Sequence, residues 1–96
     1  MSLDMQTRGE VFALAKKAVI GVAAARLNGS ESDAAFVIGQ YHSDAQRLGV
    51  SDATSWALLF SASIVSLTDT LTDAAEANHQ SPAAELSELA LRQEQS

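Results

Sequence analysis

From Asp52 to Asn78 the chain runs without a single Pro or Gly. Uninterrupted stretches of this kind read as one helix, and at 1.5 Å per residue it would be about 40 Å long. A compact chain of this size is only roughly 32 Å across, from a radius of gyration near 12–13 Å. Part of the helix is therefore expected to overhang, to break, or to pack on something else. That constraint concerns architecture before chemistry.

The rest of the chain reads as all-α: a small bundle of three main helices plus a short C-terminal one. Nothing alternates with period two for long enough to make a strand. The first helix is expected over about 7–27. Thr7 and Glu10 form a T-x-x-E capping box, and Val11, Leu14, Ala18, Val22 and Ala25 make one apolar stripe. Phe12, Ala15, Val19 and Ala23 widen it. Gly21 costs about 1 kcal/mol inside a helix, which a close helix crossing would offset. Asn28-Gly29 closes the helix.

The second helix is expected over about 31–48, capped by Ser30 or Ser32. Ala34, Val37, Ile38, Tyr41, Ala45 and Leu48 share one face. Phe36 lies off that stripe. Gly49 ends the helix. Ser51 caps the long third helix, over about 52–78. There Trp56, Phe60, Ile64, Leu67, Leu71 and Ala74 make a heptad-like seam. Trp56 is expected in the core, and the first four turns are expected to pack on the first two helices. A second face carries the small or polar residues Ser55, Ala62, Ser66, Thr70 and Asp73, and is expected to be solvated. Asn78-His79-Gln80 breaks the helix. Ser81-Pro82 opens the fourth, over about 82–92, with Pro where its missing N–H costs nothing.

Ninety-six residues make one domain. Ala dominates the apolar residues, so each buried side chain contributes little area, and stability must come from close helix approach or from a partner. The charge is uneven. Residues 1–50 hold five basic and five acidic residues; residues 51–96 hold Arg92 against seven acids, giving the whole net charge of −6. The second half would repel phosphates and anionic membranes alike. No segment is long and apolar enough to span a bilayer. Lys16-Lys17 before Ala18–Ala25 faintly resembles a signal peptide, but starts too far from Met1 and fits an amphipathic helix. The chain has no Cys, which suits a cytoplasmic protein. Met1-Ser2-Leu3 reads as an appended leader, with the natural start near Asp4 or Met5.

Chemistry is sparse. His42 and His79 have no metal-ligand spacing, the glycines form no phosphate loop, and no Ser has a defensible His and acid partner. No catalytic residue, cofactor or metal is expected. Asp69 and Asp73 share a face with Glu76 nearby. These three are a candidate acidic surface for a protein partner. The serines, threonines and carboxylates of the third helix offer a further reading, an enzyme or ligand carrier, without a specific constellation behind it.

From Ala18 to Thr54 the chain resembles the ANTAR domain, a three-helix RNA-binding module of bacterial antitermination regulators. The similar elements are Gly21-Val22 and Arg26, then Ser32-Asp33-Ala34-Ala35-Phe36, then Ser43, Val50 and Asp52. These cover just over a third of the chain and are mostly small or capping residues. The resemblance implies an RNA contact surface using Lys16, Lys17, Arg26 and Arg47. The departures are a turn one residue longer, Ala23 and Ala24 where bulk is expected, few basic residues, and a third helix that continues to Asn78. The leading expectation is a small non-enzymatic interaction protein that forms a homodimer, two copies packing antiparallel along Trp56, Phe60, Ile64, Leu67 and Leu71 and so covering the overhang. The RNA-binding regulator is the alternative.

Overall fold

The computed structural model describes residues 5–95. Among them are four helices and no strand: α1 Met5–Leu27, α2 Glu31–Arg47, α3 Asp52–Ala77 and α4 Pro82–Gln95. The all-α reading holds, with α3 the longest element. The ends differ in two places. α1 already includes Met5 and Gln6, so Thr7 and Glu10 lie inside the helix and do not cap it. α4 continues to Gln95, through Gln93, Glu94 and Gln95, all good helix formers. The question of an appended leader falls on residues 1–3, outside the described residues.

The three corners between helices share one construction. At each, the amide of the residue after a left-handed position reaches the carbonyl of an alanine five residues back. The bonds are Ser30 N–H to Ala25 at 2.9 Å, Val50 N–H to Ala45 at 3.1 Å and Gln80 N–H to Ala75 at 2.9 Å. Bonds three residues back, from the Gly29 amide to the Arg26 carbonyl, Gly49 to Gln46 and His79 to Glu76, complete three Schellman motifs. Ala25, Ala45 and Ala75 are all buried. A serine then caps each following helix, with Ser30 Oγ accepting from Asp33 N–H, Ser51 Oγ from Thr54 N–H and Ser81 Oγ from Ala84 N–H.

The third corner breaks the pattern in one respect. Gly29 and Gly49 have φ of 72° and 89°, whereas the third left-handed position is His79, at φ 55°. A side chain there costs about 1–2 kcal/mol, offset in part by the backbone entropy that glycine loses on folding. His79→Gly is expected to stabilise the α3–α4 corner by about 0.5–1 kcal/mol, read as a higher urea midpoint.

The chain divides within α3 into two compact units, Met1–Ser63 and Ile64–Ser96. The core of the first unit is built from Val11, Ala15, Ala18, Tyr41, Ala45, Val50, Leu58 and Ala62. Four of these eight are alanines, so the helices come close. A Cβ placed on Gly21 would sit 3.1 Å from Val37 Cγ1, so Gly21 marks the close crossing of α1 and α2 that the sequence led us to expect.

The first unit corrects the reading of α3. Its buried side chains there are Ser55, Leu58 and Ala62, while Trp56 and Phe60 are exposed. The small residues face inward because an alanine-lined core has room only for small partners at short helix separation. Trp56 is therefore not a core tryptophan. Leu48, expected on the buried stripe of α2, is likewise exposed.

In the second unit Ala75 is buried, with Leu71, Ala74 and Leu89 half-buried. Its one buried charge is Glu85. Both Asn78 Nδ2 and Gln80 Nε2 donate to Glu85 Oε1, at 2.7 and 2.5 Å. These two hydrogen bonds, with the Arg92 charge nearby, hold the Glu85 carboxyl below its ordinary range. A carboxyl whose folded value is depressed adds stability that is present above the unfolded value, about pH 4.3. That stability is lost as pH falls through the folded value. Glu85→Gln keeps an acceptor but loses the charge. The variant is expected to be less stable at pH 7 and to show a flatter loss of melting temperature on acidification, read from melts at successive pH values.

Candidate interaction site

At the α2–α3 corner four side chains meet. Tyr41 is 3% exposed, and its hydroxyl donates to the Ser55 carbonyl at 2.6 Å. The hydroxyl closes on α3, and burial pushes its pKa up. Ser55 is fully buried, and its hydroxyl donates to the Asp52 carbonyl at 3.0 Å. That uses its one proton, so in the 2.5 Å contact with His42 the imidazole Nδ1–H is the donor and Ser55 Oγ accepts. His42 Nε2 is then the bare ring nitrogen, enclosed and without a hydrogen-bond partner among the described residues. The His42 ring lies against Trp56 with centroids 4.1 Å apart, and against Tyr41 at 5.2 Å.

This Ser–His pair was not legible in the sequence, because its members sit on different helices and only tertiary packing joins them. With Ser55 sealed from solvent and its proton committed to a backbone carbonyl, the pair acts as a lock between α2 and α3. It also fixes the ring that supports Trp56.

Outside the core, α3 carries a row of large exposed apolar side chains. Trp56 is 53% exposed and Phe60 68% in the first unit; Ile64 is 47% and Leu67 43% exposed in the second. Leu71, the last residue of the expected seam, is half-buried. No charged residue or histidine occurs from Ala53 through Thr68. Taking full side-chain areas near 200 Å² for such residues, Trp56 and Phe60 alone leave roughly 240 Å² of apolar surface in the first unit. Exposed aromatic side chains grouped in this way make this face the candidate interaction surface of the first unit.

The other candidate residues lie elsewhere. Asp69, Asp73 and Glu76 are exposed, and helical register puts them across α3 from Leu67 and Leu71. Among the described residues no cluster of three His, Cys, Asp or Glu could hold a metal ion. The hydroxyls of Ser63, Thr68, Thr70 and Thr72 all donate to carbonyls four residues back, at 2.8–2.9 Å, and are turned into the helix they sit on. Lys16 and Lys17 are exposed on α1, Lys16 with its ammonium 5.7 Å from the Phe12 ring centroid. Arg26 is exposed at the end of α1. Arg47 pairs with Asp44 at 2.9 Å.

A shallow groove of about 230 Å³ runs between α1 and α2, floored by Leu14, Ala18, Val37 and Tyr41 and edged by Phe36, Lys17 and Asp44. Phe36, off the apolar stripe in sequence, is one wall of this groove and is exposed. None of the helices is long and apolar enough to cross a membrane. No protein-family model, curated protein or solved structure matches the chain. The ANTAR resemblance therefore has no support beyond the residues that suggested it.

Proposed function

We propose that this is a small helical interaction protein, without catalytic activity, that self-associates through the exposed face of α3 in the cytoplasm. The observation that carries the reading is the exposure of Trp56 and Phe60, followed along the same helix by Ile64 and Leu67. Leaving two large aromatics in water forfeits about 2 kcal/mol or more for each side chain that a partner could bury. Aromatic residues are also the usual anchors of interfaces. Trp56 supports the reading further, because His42 holds its ring in place and little side-chain entropy remains to be lost on docking.

A second copy suits this face because it carries no charge. Partners of a different kind are commonly selected by complementary charges, whereas an apolar, self-complementary patch fits a two-fold dimer. The acidic residues Asp69, Asp73 and Glu76 would then stay in water across the helix. Sedimentation velocity on the full chain from 1 to 100 μM is the test. A concentration-dependent shift to twice the monomer mass is expected, and a monomer throughout overturns the proposal.

A further inference from the structure

We infer that the groove between α1 and α2 is a binding site for a small apolar carboxylate, with Lys17 holding the anionic end and Phe36 covering one side of the apolar body. Every residue that lines it belongs to the first unit. The floor is fixed by packing. Val37 lines the groove and also meets Gly21 at the close crossing of the two helices. Ala18 and Tyr41 are buried, and the Tyr41 hydroxyl is committed to the Ser55 carbonyl, so the floor presents its ring and no polar atom. A floor of this kind is in place before anything binds.

The charges at the rim select the class of ligand. The Asp44 carboxylate is already answered: it pairs with Arg47 at 2.9 Å and accepts from Gln40 Nε2 at 3.2 Å. Lys17 has no ion pair or hydrogen bond among the described residues. The uncompensated charge at the groove is therefore positive, and it sits on a flexible stem that lets the ammonium follow an anionic group. Phe36 is 71% exposed although it stands beside an apolar floor. An apolar body laid in the groove buries the inner face of that ring, whereas a wholly polar anion such as phosphate would leave it in water. The volume of about 230 Å³ lies below the roughly 300 Å³ at which drug-sized sites begin. The occupant is accordingly small, of about ten non-hydrogen atoms. The groove is shallow, and a dissociation constant of about 0.1–1 mM is expected for so small a ligand.

The test is a titration of the isotope-labelled full chain, followed by amide chemical shifts. The probes are octanoate, octanol and octylammonium, which share one apolar chain and differ in charge. Octanoate is expected to give saturable shifts at Ala18, Val37 and Gln40, with octanol about 3–5-fold weaker and octylammonium weaker still. Lys17→Gln is expected to bring octanoate down to the affinity of octanol and to leave octanol unchanged. Phe36→Ala is expected to weaken both. Lys17 and Phe36 are exposed, so neither change removes a core contact. Equal affinity for the three probes overturns the carboxylate assignment. No saturation up to about 10 mM octanoate, or shifts confined to Trp56 and Phe60, overturns the site itself.

Discussion

Tyr41→Ala is expected to be the most damaging single change in the first unit, costing about 3–5 kcal/mol. The ring is 3% exposed at the centre of a core otherwise made of valine, leucine and alanine. Helices held apart by one ring among small side chains cannot close the cavity without moving as bodies. A chain of this size has only about 5–14 kcal/mol in total, so the variant would be largely unfolded in modest urea. Tyr41→Phe separates the two contributions. It keeps the ring and deletes the hydrogen bond to the Ser55 carbonyl, at a cost of about 1 kcal/mol.

The same hydroxyl sets an alkaline limit. Its folded pKa is raised by burial, so the stability tied to it is complete below the unfolded value, about 10, and is lost as pH rises through the folded value. Wild type is expected to lose stability above about pH 10 more steeply than Tyr41→Phe. Urea titrations at pH 7 and pH 10.5, followed by circular dichroism, check both statements. Equal midpoints for wild type and Tyr41→Ala would show that the ring is not the keystone of this core.

Phe60→Glu is expected to weaken self-association at least about 100-fold, or about 2.7 kcal/mol, while leaving the folded chain intact. Phe60 is 68% exposed, so a carboxylate there is solvated in the monomer. In a dimer formed through this face the carboxylate would be taken out of water, with no basic residue from Ala53 through Thr68 to pair with it. Burying an unpaired charge costs several kcal/mol. The checks are sedimentation at high concentration for the dimer and thermal melting at low concentration for the fold. A Phe60→Glu protein that still dimerises with wild-type affinity would move the interface off α3, with the Phe36 groove the next surface to test.

Fold class was legible because helical period, serine caps and glycine stops all agree along this chain. Ser30, Gly29, Gly49, Ser51 and Ser81-Pro82 mark the corners by local chemistry, which needs no tertiary information. The recurring alanine five residues before each corner's end was on the page as well, but its meaning depends on burial. The third helix was read wrongly in one respect. Its spacing, Trp56 to Ala74, groups residues on one face, but Trp56 was assigned to the core by size, whereas Ser55, Leu58 and Ala62 face inward in its place. Periodicity states which residues stand together on a helix; it does not state which side of the helix meets its neighbours. Likewise the Tyr41–Ser55–His42–Trp56 cluster joins residues 13 or more apart, and no sequence spacing encodes such a contact.

The sequence alone determined the helices, their order, the serine caps at the corners and the close crossing at Gly21, because those follow from backbone conformation and side-chain size. Only the tertiary structure decided that Ser55, Leu58 and Ala62 turn inward and that Trp56 and Phe60 face water. The physical reason lies in the alanines of α1 and α2. They bring the helices so near that α3 turns Ser55, Leu58 and Ala62 inward, and the bulkier Trp56 and Phe60 remain outside.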